Sequence, residues 1–225
     1  MSGSIRKSIL MALLGSSMLF ATDFSSYRGL KFGMKLPVAA ERAGRADSDA
    51  RVVHQRPALI QELRWRALST SLATPAKADP VQDGSLYFYN GQLFRIVVNY
   101  DRYRIEGMTS QDMLEAISVT YGIATQPGGE IPFHSNYGEM AAVIARWEDA
   151  DYSWNLVRTG DQTSFAMVLY SKRLDLLAEA ASVEAVRLDA VEAPQRELDA
   201  VKKKLEAEHA AVEKARLANK PNFQP

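Results

Sequence analysis

Three histidines are the first residues to consider, because an imidazole can act as a general base or bind a metal near neutral pH. They occupy different settings: His54 in a predicted strand, His134 in a loop rich in glycine and proline, and His209 in a charged helix. A zinc site or a catalytic triad needs such side chains to converge with further partners. Because no spacing favours convergence, we expect each histidine to be solvated or hydrogen-bonded within the fold. His134 is the best functional candidate, since binding sites concentrate on loops.

The carboxylates Glu148, Asp149 and Asp151 form the second group that could do chemistry. Paired carboxylates serve acid–base catalysis, and clustered carboxylates bind calcium. This group lacks the regular oxygen-ligand spacing of a calcium loop, whereas Asp-Ala-Asp suits a tight turn between strands. We therefore interpret it as a solvated turn. A hydrolase or ligand-binding protein that uses His134 together with this turn stays open as an alternative.

Other catalytic signatures are missing from the sequence. It contains no phosphate-binding glycine loop, serine nucleophile elbow or nucleotide-binding fingerprint. Cysteine is absent, which excludes disulfides, thiolate metal sites, cysteine nucleophiles and a cysteine-linked lipid anchor. We predict no cofactor, no metal and no catalytic residue, and the sequence gives no support for enzyme activity.

The charge balance gives no reason to expect nucleic acid as a partner. The 27 basic and 27 acidic residues leave a formal net charge of zero, whereas nucleic-acid-binding domains carry a basic face. The lysine run at 202–204 could contact anionic lipid or nucleic acid, but the neighbouring Asp199, Glu206 and Glu208 largely cancel its field. We interpret the run as a solvated helical face.

Arginine and tyrosine on one face of a predicted sheet form the best candidate binding surface. Apolar and charged residues alternate along 58–68, so one face of that strand is buried and the other is wet. Both residue types are enriched in recognition surfaces. The predicted binding residues on the outer face are Arg64, Arg66, Tyr87 and Arg95.

A β-hairpin at 86–98 is the clearest structural signal, because aromatic and β-branched runs flank the pair Asn90-Gly91. A two-residue loop would pair Tyr87 with Phe94, and a three-residue loop would pair Leu86 with Phe94. We prefer the three-residue loop because it leaves Tyr87 and Arg95 on the outer face and gathers apolar side chains on the inner one. That inner face comprises Leu86, Phe88, Phe94, Ile96, Val98 and Tyr100.

Two short helices and further strands accompany the hairpin. The first helix covers 36–44, with Pro37 in its first turn and Gly44 past its end. The second covers 109–122, begins with a capping box of Thr109 and Asp112, and ends at Gly122. Strands are predicted at 51–55, 58–68, 143–148, 152–158 and 164–170, and long loops at 69–84 and 126–138.

From Lys172 the composition becomes that of a long, solvent-facing helix. Pro194 predicts a break or a kink. A narrow apolar seam of Leu198, Val201, Leu205 and Val212 continues beyond the proline. Three alternatives remain for this segment: it docks loosely on the sheet, pairs with another helix as a short coiled coil, or projects into solvent.

The N-terminus has the pattern of a secretory signal peptide: Arg6 and Lys7, an apolar run from Ile9 to Phe20, and then Ala21. The run is shorter than the roughly 20 apolar residues that span a bilayer. We predict an exported protein, periplasmic or secreted, with a signal peptide at 1–21 that is cleaved, and an uncleaved anchor is the alternative. An α+β domain at 22–171, a helical extension at 172–218 and a disordered tail at 219–225 complete the predicted organisation.

Two Gly-Met pairs, at 33–34 and 107–108, each precede a predicted helix that ends at a glycine, Gly44 or Gly122. This echo indicates an internal duplication, in which each unit is a helix followed by a small antiparallel sheet. The alternative is that four glycines coincide by chance.

The same residues carry a resemblance to known proteins. Phe32-Gly33-Met34, the Tyr-Asn-Gly-Gln-Leu hairpin and Tyr121-Gly122 resemble uncharacterised exported bacterial proteins. More distantly, 27–170 is similar to the repeat units of β-lactamase-inhibitor-like domains and of small outer-membrane-assembly lipoproteins. The resemblance implies protein–protein contact or scaffolding in the periplasm, and it supplies no catalytic residue. The chain departs from the lipoproteins in having no cysteine to lipidate, so no lipid anchor is expected.

These observations predict an α+β fold, with an antiparallel β-sheet of about six strands, two short covering helices and a long C-terminal helix kinked near Pro194. The favoured function is a periplasmic protein–protein interaction or scaffolding module whose unknown partner binds the C-terminal helix or the outer sheet face. A secreted hydrolase or small-ligand-binding protein, and an inhibitor of a secreted enzyme, are the alternatives.

Overall fold

The computed structural model describes residues 22–66, 79–134, 139–159 and 164–222. The predicted signal peptide at 1–21, most of the predicted loop at 69–84 and the last three residues of the predicted tail lie outside the described residues. Residues 160–163, between the strands predicted at 152–158 and 164–170, and residues 135–138 of the predicted loop at 126–138 lie outside them as well.

An eight-stranded antiparallel sheet forms the centre of the fold, and a two-stranded sheet packs beside it. The two short strands are β1 (Ser26–Tyr27) and β2 (Leu30–Lys31). The strands of the large sheet are β3 (Arg51–His54), β4 (Ile60–Arg66), β5 (Val81–Tyr89), β6 (Gln92–Tyr100), β7 (Glu130–Pro132), β8 (Met140–Glu148), β9 (Tyr152–Thr159) and β10 (Ser164–Ser171). Their order across the sheet is β3-β4-β5-β6-β10-β9-β8-β7.

Three α-helices complete the α+β architecture: α1 (Leu36–Arg42), α2 (Ser110–Tyr121) and the long α3 (Lys172–Asn219). The predicted capping box opens α2, because the Thr109 hydroxyl accepts from the Asp112 amide and the Asp112 carboxylate accepts from the Thr109 amide. Short 3-10 turns lie at Asp47–Asp49 and Lys220–Asn222. None of the described helices combines the length and the apolar composition needed to cross a bilayer.

The order of elements repeats once along the chain. Helix α1 precedes the meander β3 to β6, and helix α2 precedes the meander β7 to β10. The two meanders join through their last strands, since β6 pairs antiparallel with β10, and the strand order reads the same from either edge. This arrangement agrees with the internal duplication that the paired glycines indicate. Gly44 and Gly122 both end their helices with a positive φ, 66° and 83°, which favours glycine.

The register of the central hairpin of β5 and β6 differs from the predicted three-residue loop. Asn90 and Gly91 have φ values of 47° and 74°, as a two-residue type I′ turn requires. Tyr89 pairs with Gln92 and Phe88 with Leu93, and then a bulge lets Tyr87 pair with Arg95. The bulge makes Phe94 the extra residue. Leu93 therefore joins the inner face that was predicted for Phe94, and Phe94 lies on the outer face.

The first face of the large sheet carries the main hydrophobic core, which α1, α2 and the β1–β2 hairpin cover. Apolar residues alternate along the last three strands, and those that point to this face are buried: Trp147, Trp154, Leu156, Phe165, Met167 and Leu169. The indole nitrogens of the two tryptophans donate to the main-chain oxygens of Gly122 and Phe24. Hydrogen bonding allows these amphipathic rings to be buried without leaving a polar atom unpaired.

The second face carries a smaller core, which the N-terminal part of α3 covers. The helix contacts β10, β6 and β5 and buries a row of small and apolar residues, Leu174, Ala178, Ala181, Ser182 and Ala185. It runs without interruption through Pro194, so the proline does not divide it into two helices. Arg196 donates to the main-chain oxygen and the carboxylate of Asp189, which links the two sides of the proline.

Two local predictions differ from the structure. Strand β5 begins at Val81, inside the segment predicted as loop, because Val81 packs into the first core. Strand β7 lies within the segment predicted as a glycine- and proline-rich loop. It is only three residues long and pairs at the edge of the sheet with β8, where Pro132 is tolerated because an edge strand leaves one side unpaired.

Candidate functional site

The four predicted binding residues do share the second face of the sheet, but they differ in exposure. Arg64 and Arg66 are near the free end of β4 and are exposed. Tyr87 and Arg95 are buried, with exposed fractions of 2% and 1%. The prediction that all four face solvent is therefore wrong for Tyr87 and Arg95. They are covered because α3 and the segment after β7 both fold onto this face.

Arg95 anchors the long helix to the sheet. Its guanidinium donates from Nε and Nη2 to the two carboxylate oxygens of Asp175, at 2.9 and 2.8 Å, in the first turn of α3. Its remaining nitrogen Nη1 donates to the main-chain oxygen of Pro132 at 2.7 Å. A bidentate pair with an additional acceptor satisfies most of the donors of a buried guanidinium. Arg95 is thus a structural anchor between β6, α3 and β7.

Glu62, which is not among the predicted binding residues, is the centre of a second buried polar group. Its carboxylate accepts from Arg51 at 2.7 Å, from Arg64 at 3.1 Å and from the Ser85 hydroxyl at 3.1 Å. Burial by itself would raise the pKa of Glu62, but the hydrogen bonds from Arg51 and Arg64 outweigh burial and hold that pKa below its ordinary value. The charged carboxylate therefore fixes the orientation of Arg64 on the face.

His134 completes this polar group from the opposite edge of the sheet. Its Nδ1 lies 2.7 Å from the hydroxyl oxygen of Tyr87, and its Nε2 lies 3.7 Å from a carboxylate oxygen of Glu139. Burial lowers the pKa of His134 below its ordinary value of 6.5, because burial disfavours the charged imidazolium. A neutral imidazole can accept the hydroxyl hydrogen bond at Nδ1.

These contacts show that the large sheet curls towards its second face. Strand β7 is the last strand in the order and β5 is the third, yet Pro132 of β7 accepts from Arg95 of β6, and His134 just after β7 contacts Tyr87 of β5. Only a curved sheet brings strands so far apart in the order into contact. The second face is therefore concave, with α3 across one end and an open region at the other.

The open end of the concave face holds a cavity of about 440 Å³. Its polar lining comprises Arg45, Arg64, Arg66, Asp83, Ser85, Asn99 and His134. Asp83 accepts from the Asn99 amide at 2.7 Å, and Arg45 pairs with Asp49 at 3.0 Å. Arg66 is exposed and contributes a third guanidinium to this lining, beside those of Arg45 and Arg64.

The acidic turn at Glu148, Asp149 and Asp151 has the structural role that its sequence predicts. The Asp149 carboxylate accepts from the amides of Asp151 and Tyr152, at 2.8 and 2.7 Å, and so closes the turn. Glu148 pairs with Lys172 at 2.9 Å. Strand β8 starts beside Glu139 and His134 and ends at this turn, roughly 30 Å away at 3.3 Å per residue. The structure does not bring His134 and the acidic turn together.

No group of three or more metal-ligating side chains converges within the described parts of the chain. His54 lies in β3 and His209 in the exposed half of α3, so neither joins His134. The lysines at 202 and 204 lie 4.0 Å from Glu206 and Glu208 one helical turn away. These pairs agree with the interpretation of this run as a solvated helical face.

The distal half of α3 is the second candidate surface. Among the described residues, the ion contacts between helix and domain end with Arg56, which pairs with Glu192 and approaches Asp189. Every residue from 194 to 221 is exposed. At 1.5 Å per residue, residues 194–219 extend roughly 39 Å beyond the sheet. The seam residues have high exposed fractions, 65% for Leu198, 58% for Val201, 51% for Leu205 and 68% for Val212.

Comparisons with known proteins do not add to these observations: no protein-family model matches the sequence, and no curated protein and no solved structure matches it either.

Proposed function

We propose that the protein is an exported protein-binding module that presents its C-terminal helix to another polypeptide chain. The observation that carries this proposal is the contrast between the two halves of α3. The first half is fixed to the concave face by buried residues and by the Arg95–Asp175 pair. The second half leaves the domain with all of its side chains exposed, large aliphatic ones included.

An isolated, fully exposed helix gains little from helix propensity alone, because most helical stability in proteins comes from packing an apolar face. Leu198, Val201, Leu205 and Val212 would each gain about 1.5–3 kcal/mol from full burial. Aligned aliphatic side chains that stay in water are typical of an interaction site. A rigidly anchored helix also loses less entropy on binding than a flexible tail, which favours association.

The test uses the full chain carrying Leu205→Glu, with Leu217→Glu as the matched control. Both leucines are exposed, at 51% and 58%, and both lie on the distal helix, but only Leu205 belongs to the seam. Chemical cross-linking in cells followed by mass analysis should give a defined adduct for the original protein and for Leu217→Glu, and lose that adduct for Leu205→Glu. Equal adducts from all three proteins would refute the proposed function.

Export is part of the proposal and rests on the pattern of Arg6, Lys7 and the apolar run to Phe20. Fractionation of expressing bacteria should place the protein outside the cytoplasm, and intact mass should show that residues 1–21 have been removed. Recovery of the uncleaved chain in the cytoplasmic fraction would contradict export without affecting the binding proposal.

A second candidate function, binding of a small anionic molecule, is favoured by the arginine-lined cavity on the concave face. Phosphate and simple dicarboxylates are the appropriate probes, since guanidinium groups bind both in a bidentate manner. Binding should raise the melting temperature of the original protein and not that of Arg66→Gln. An unchanged melting temperature at high probe concentration would exclude this function.

A further inference from the structure

The distal part of α3 repeats an apolar residue every seven positions, which is the spacing of a coiled coil. Val191, Leu198, Leu205 and Val212 follow one another at this interval. They occupy one core position of the heptad, and Pro194, Val201, Glu208 and Ala215 occupy the other, three residues later. The apolar repeat covers residues 191–212, or three heptad intervals, and Ala215 and Asn219 continue the same frame to the end of α3.

The seam points away from the sheet. Successive residues of an α-helix are rotated by about 100°. Relative to Ala178, which is fully buried against the concave face, the positions of Val191, Leu198, Leu205, Val212 and Val201 lie at roughly 140° to 220° around the helix axis. The domain therefore sits on one side of α3 and the seam on the opposite side. A second helix can reach the seam without meeting the domain, and the domain cannot cover the seam itself.

We propose that a second copy of this chain covers the seam, so that two α3 helices form a parallel coiled coil over residues 191–219. This inference rests on the proposed function and names the partner. In the parallel arrangement both domains lie at the same end and on the outer sides of the helix pair. Each anchored helix then supplies the same seam to the other, as a two-fold symmetric interface requires.

Charge complementarity favours the parallel arrangement. Glu197 flanks the seam on one side, and Lys202 of the second copy lies opposite it in the next heptad, so two such ion pairs form by symmetry. In the antiparallel arrangement that packs Leu205 of one helix against Val201 of the other, Lys202 of one helix would face Lys202 of the other. The two copies of Lys204 would also face each other. Like charges opposite one another oppose association. The side chains at 197 and 202 are both on the exposed part of the helix, and Lys202 exchanges its 4.0 Å contact with Glu206 of its own helix for this one.

Two seam positions weaken the interface. Glu208 of one helix lies opposite Glu208 of the other. Pro194 occupies the first position of the same core row, which continues with Val201. Two carboxylates placed across a coiled-coil core repel each other and lose hydration. The dimer is therefore reversible and forms as protein concentration rises. Replacement of Glu208 by leucine removes the repulsion and adds apolar contact.

Sedimentation of the full chain over a wide concentration range tests the dimer. The original protein should pass from monomer to dimer, Leu217→Glu should behave identically, and Leu205→Glu should weaken dimerisation by at least about tenfold, the effect of losing one well-packed contact. Glu208→Leu should strengthen it by a similar factor. Circular dichroism and the melting temperature of the dilute monomers should be the same for all variants, because these residues do not contact the domain.

Cysteine cross-linking tests the parallel orientation, because the natural chain has no cysteine to interfere. Ala215→Cys places the new thiol in the seam, where two copies meet only if the helices are parallel. Leu217→Cys is the control on another side of the helix. Under mild oxidation the seam thiols should form an interchain disulfide much faster than the control thiols.

Different experimental results would disprove the dimer and the proposed function. A protein that stays monomeric at every concentration, or a Leu205→Glu variant that dimerises as well as Leu217→Glu, overturns the dimer. A dimer in which both cysteine variants cross-link equally slowly overturns the parallel arrangement. If the protein is monomeric but its cellular adduct depends on Leu205, the proposed function stands and the partner is a different protein.

Discussion

At the scale of single residues, the buried contacts of the concave face hold elements of the fold together. Arg95 and Tyr87 look like recognition residues in the sequence, yet each is covered and hydrogen-bonded in the folded chain. A buried charge must be paired to be tolerated, and its removal leaves the partner uncompensated. The Arg95–Asp175 contact is therefore expected to have a large effect on stability.

Asp175→Ala should lower the free energy of unfolding by about 3–5 kcal/mol, because it leaves the Arg95 guanidinium buried without its carboxylate. Denaturant unfolding of the monomer measures this loss. The exposed control Asp199→Ala should stay within about 0.5 kcal/mol of the original protein. Replacing both partners with Arg95→Met and Asp175→Leu should cost less than Asp175→Ala alone. If the double variant were as unstable as Asp175→Ala, the Arg95–Asp175 pair would stabilise the fold by more than the cost of leaving one partner unpaired.

His134 should make stability depend on pH in a defined direction. Its pKa in the folded protein is lowered by burial, so the unfolded chain binds the proton first as pH falls. The stability that neutral His134 contributes is fully present above about pH 6.5, the ordinary pKa, and is lost as pH falls towards the folded value. The free energy of unfolding, measured between about pH 5 and about pH 7.5, should depend less on pH in His134→Gln than in the original protein. If His134→Gln kept the full pH dependence of the unfolding free energy, groups other than His134 would be responsible for it.

At the scale of elements, α3 consists of a packed part and an exposed part with one continuous backbone. Residues 172–192 are part of the domain, since they bury Leu174 and Ala178 and hold Arg95 and Arg56. Residues 194–219 contribute no buried side chain. The boundary lies at the last domain contact, two residues before Pro194.

Shortened chains separate these two parts. A chain that ends after Ala193 should unfold with a free energy within about 0.5 kcal/mol of the original at low protein concentration, because the side chains at 194–221 that it loses are exposed. A chain that ends after Ser171 should lose more than about 3 kcal/mol, because Arg95 loses its carboxylate and the second core is uncovered. An equal loss of unfolding free energy in both shortened chains would mean that the distal helix packs on the domain.

At the scale of the whole molecule, two meanders joined by β6 and β10 form one curved sheet with different coverings on its two faces. Interior strands exchange amide hydrogens slowly because opening them requires unfolding of the core. Edge strands and exposed helices open locally at little cost. The molecule should therefore show a gradient of protection from the centre of the sheet to the end of α3.

Hydrogen exchange followed by mass spectrometry tests this gradient. Amides of β5, β6, β9 and β10 should be the most protected, those of β3 and β7 less so, and those of 194–222 the least in dilute protein. Protection of 194–219 should rise with protein concentration as helices pair. Distal amides that are as slow as those of β6 in dilute protein would contradict the projecting helix.

The local elements were predictable because their signals lie within a few residues of one another. Asn90-Gly91 predicts the hairpin, Thr109 and Asp112 predict the start of α2, and the alternation around Trp154 predicts the inward face of β9. The hairpin register was not predictable, because a bulge at Phe94 shifts the pairing by one residue and both registers bury apolar side chains.

The candidate site depended on contacts between distant segments. Arg95 and Asp175 are 80 residues apart, and Tyr87 and His134 are 47 residues apart. Glu62 carries no sequence signal that separates it from the charged residues beside it. Which arginines stay exposed is decided by where α3 and the segment after β7 fold onto the sheet.

By itself, the sequence determined the α+β class, the repeated order of elements and the apolar seam of α3, because these follow from local periodicity and turn chemistry. The tertiary structure alone decided which sheet face is concave, that Tyr87 and Arg95 are buried, and that the seam points away from the domain. The physical reason is that burial and charge pairing depend on long-range packing, which fixes the rotation of α3 on the sheet through Asp175.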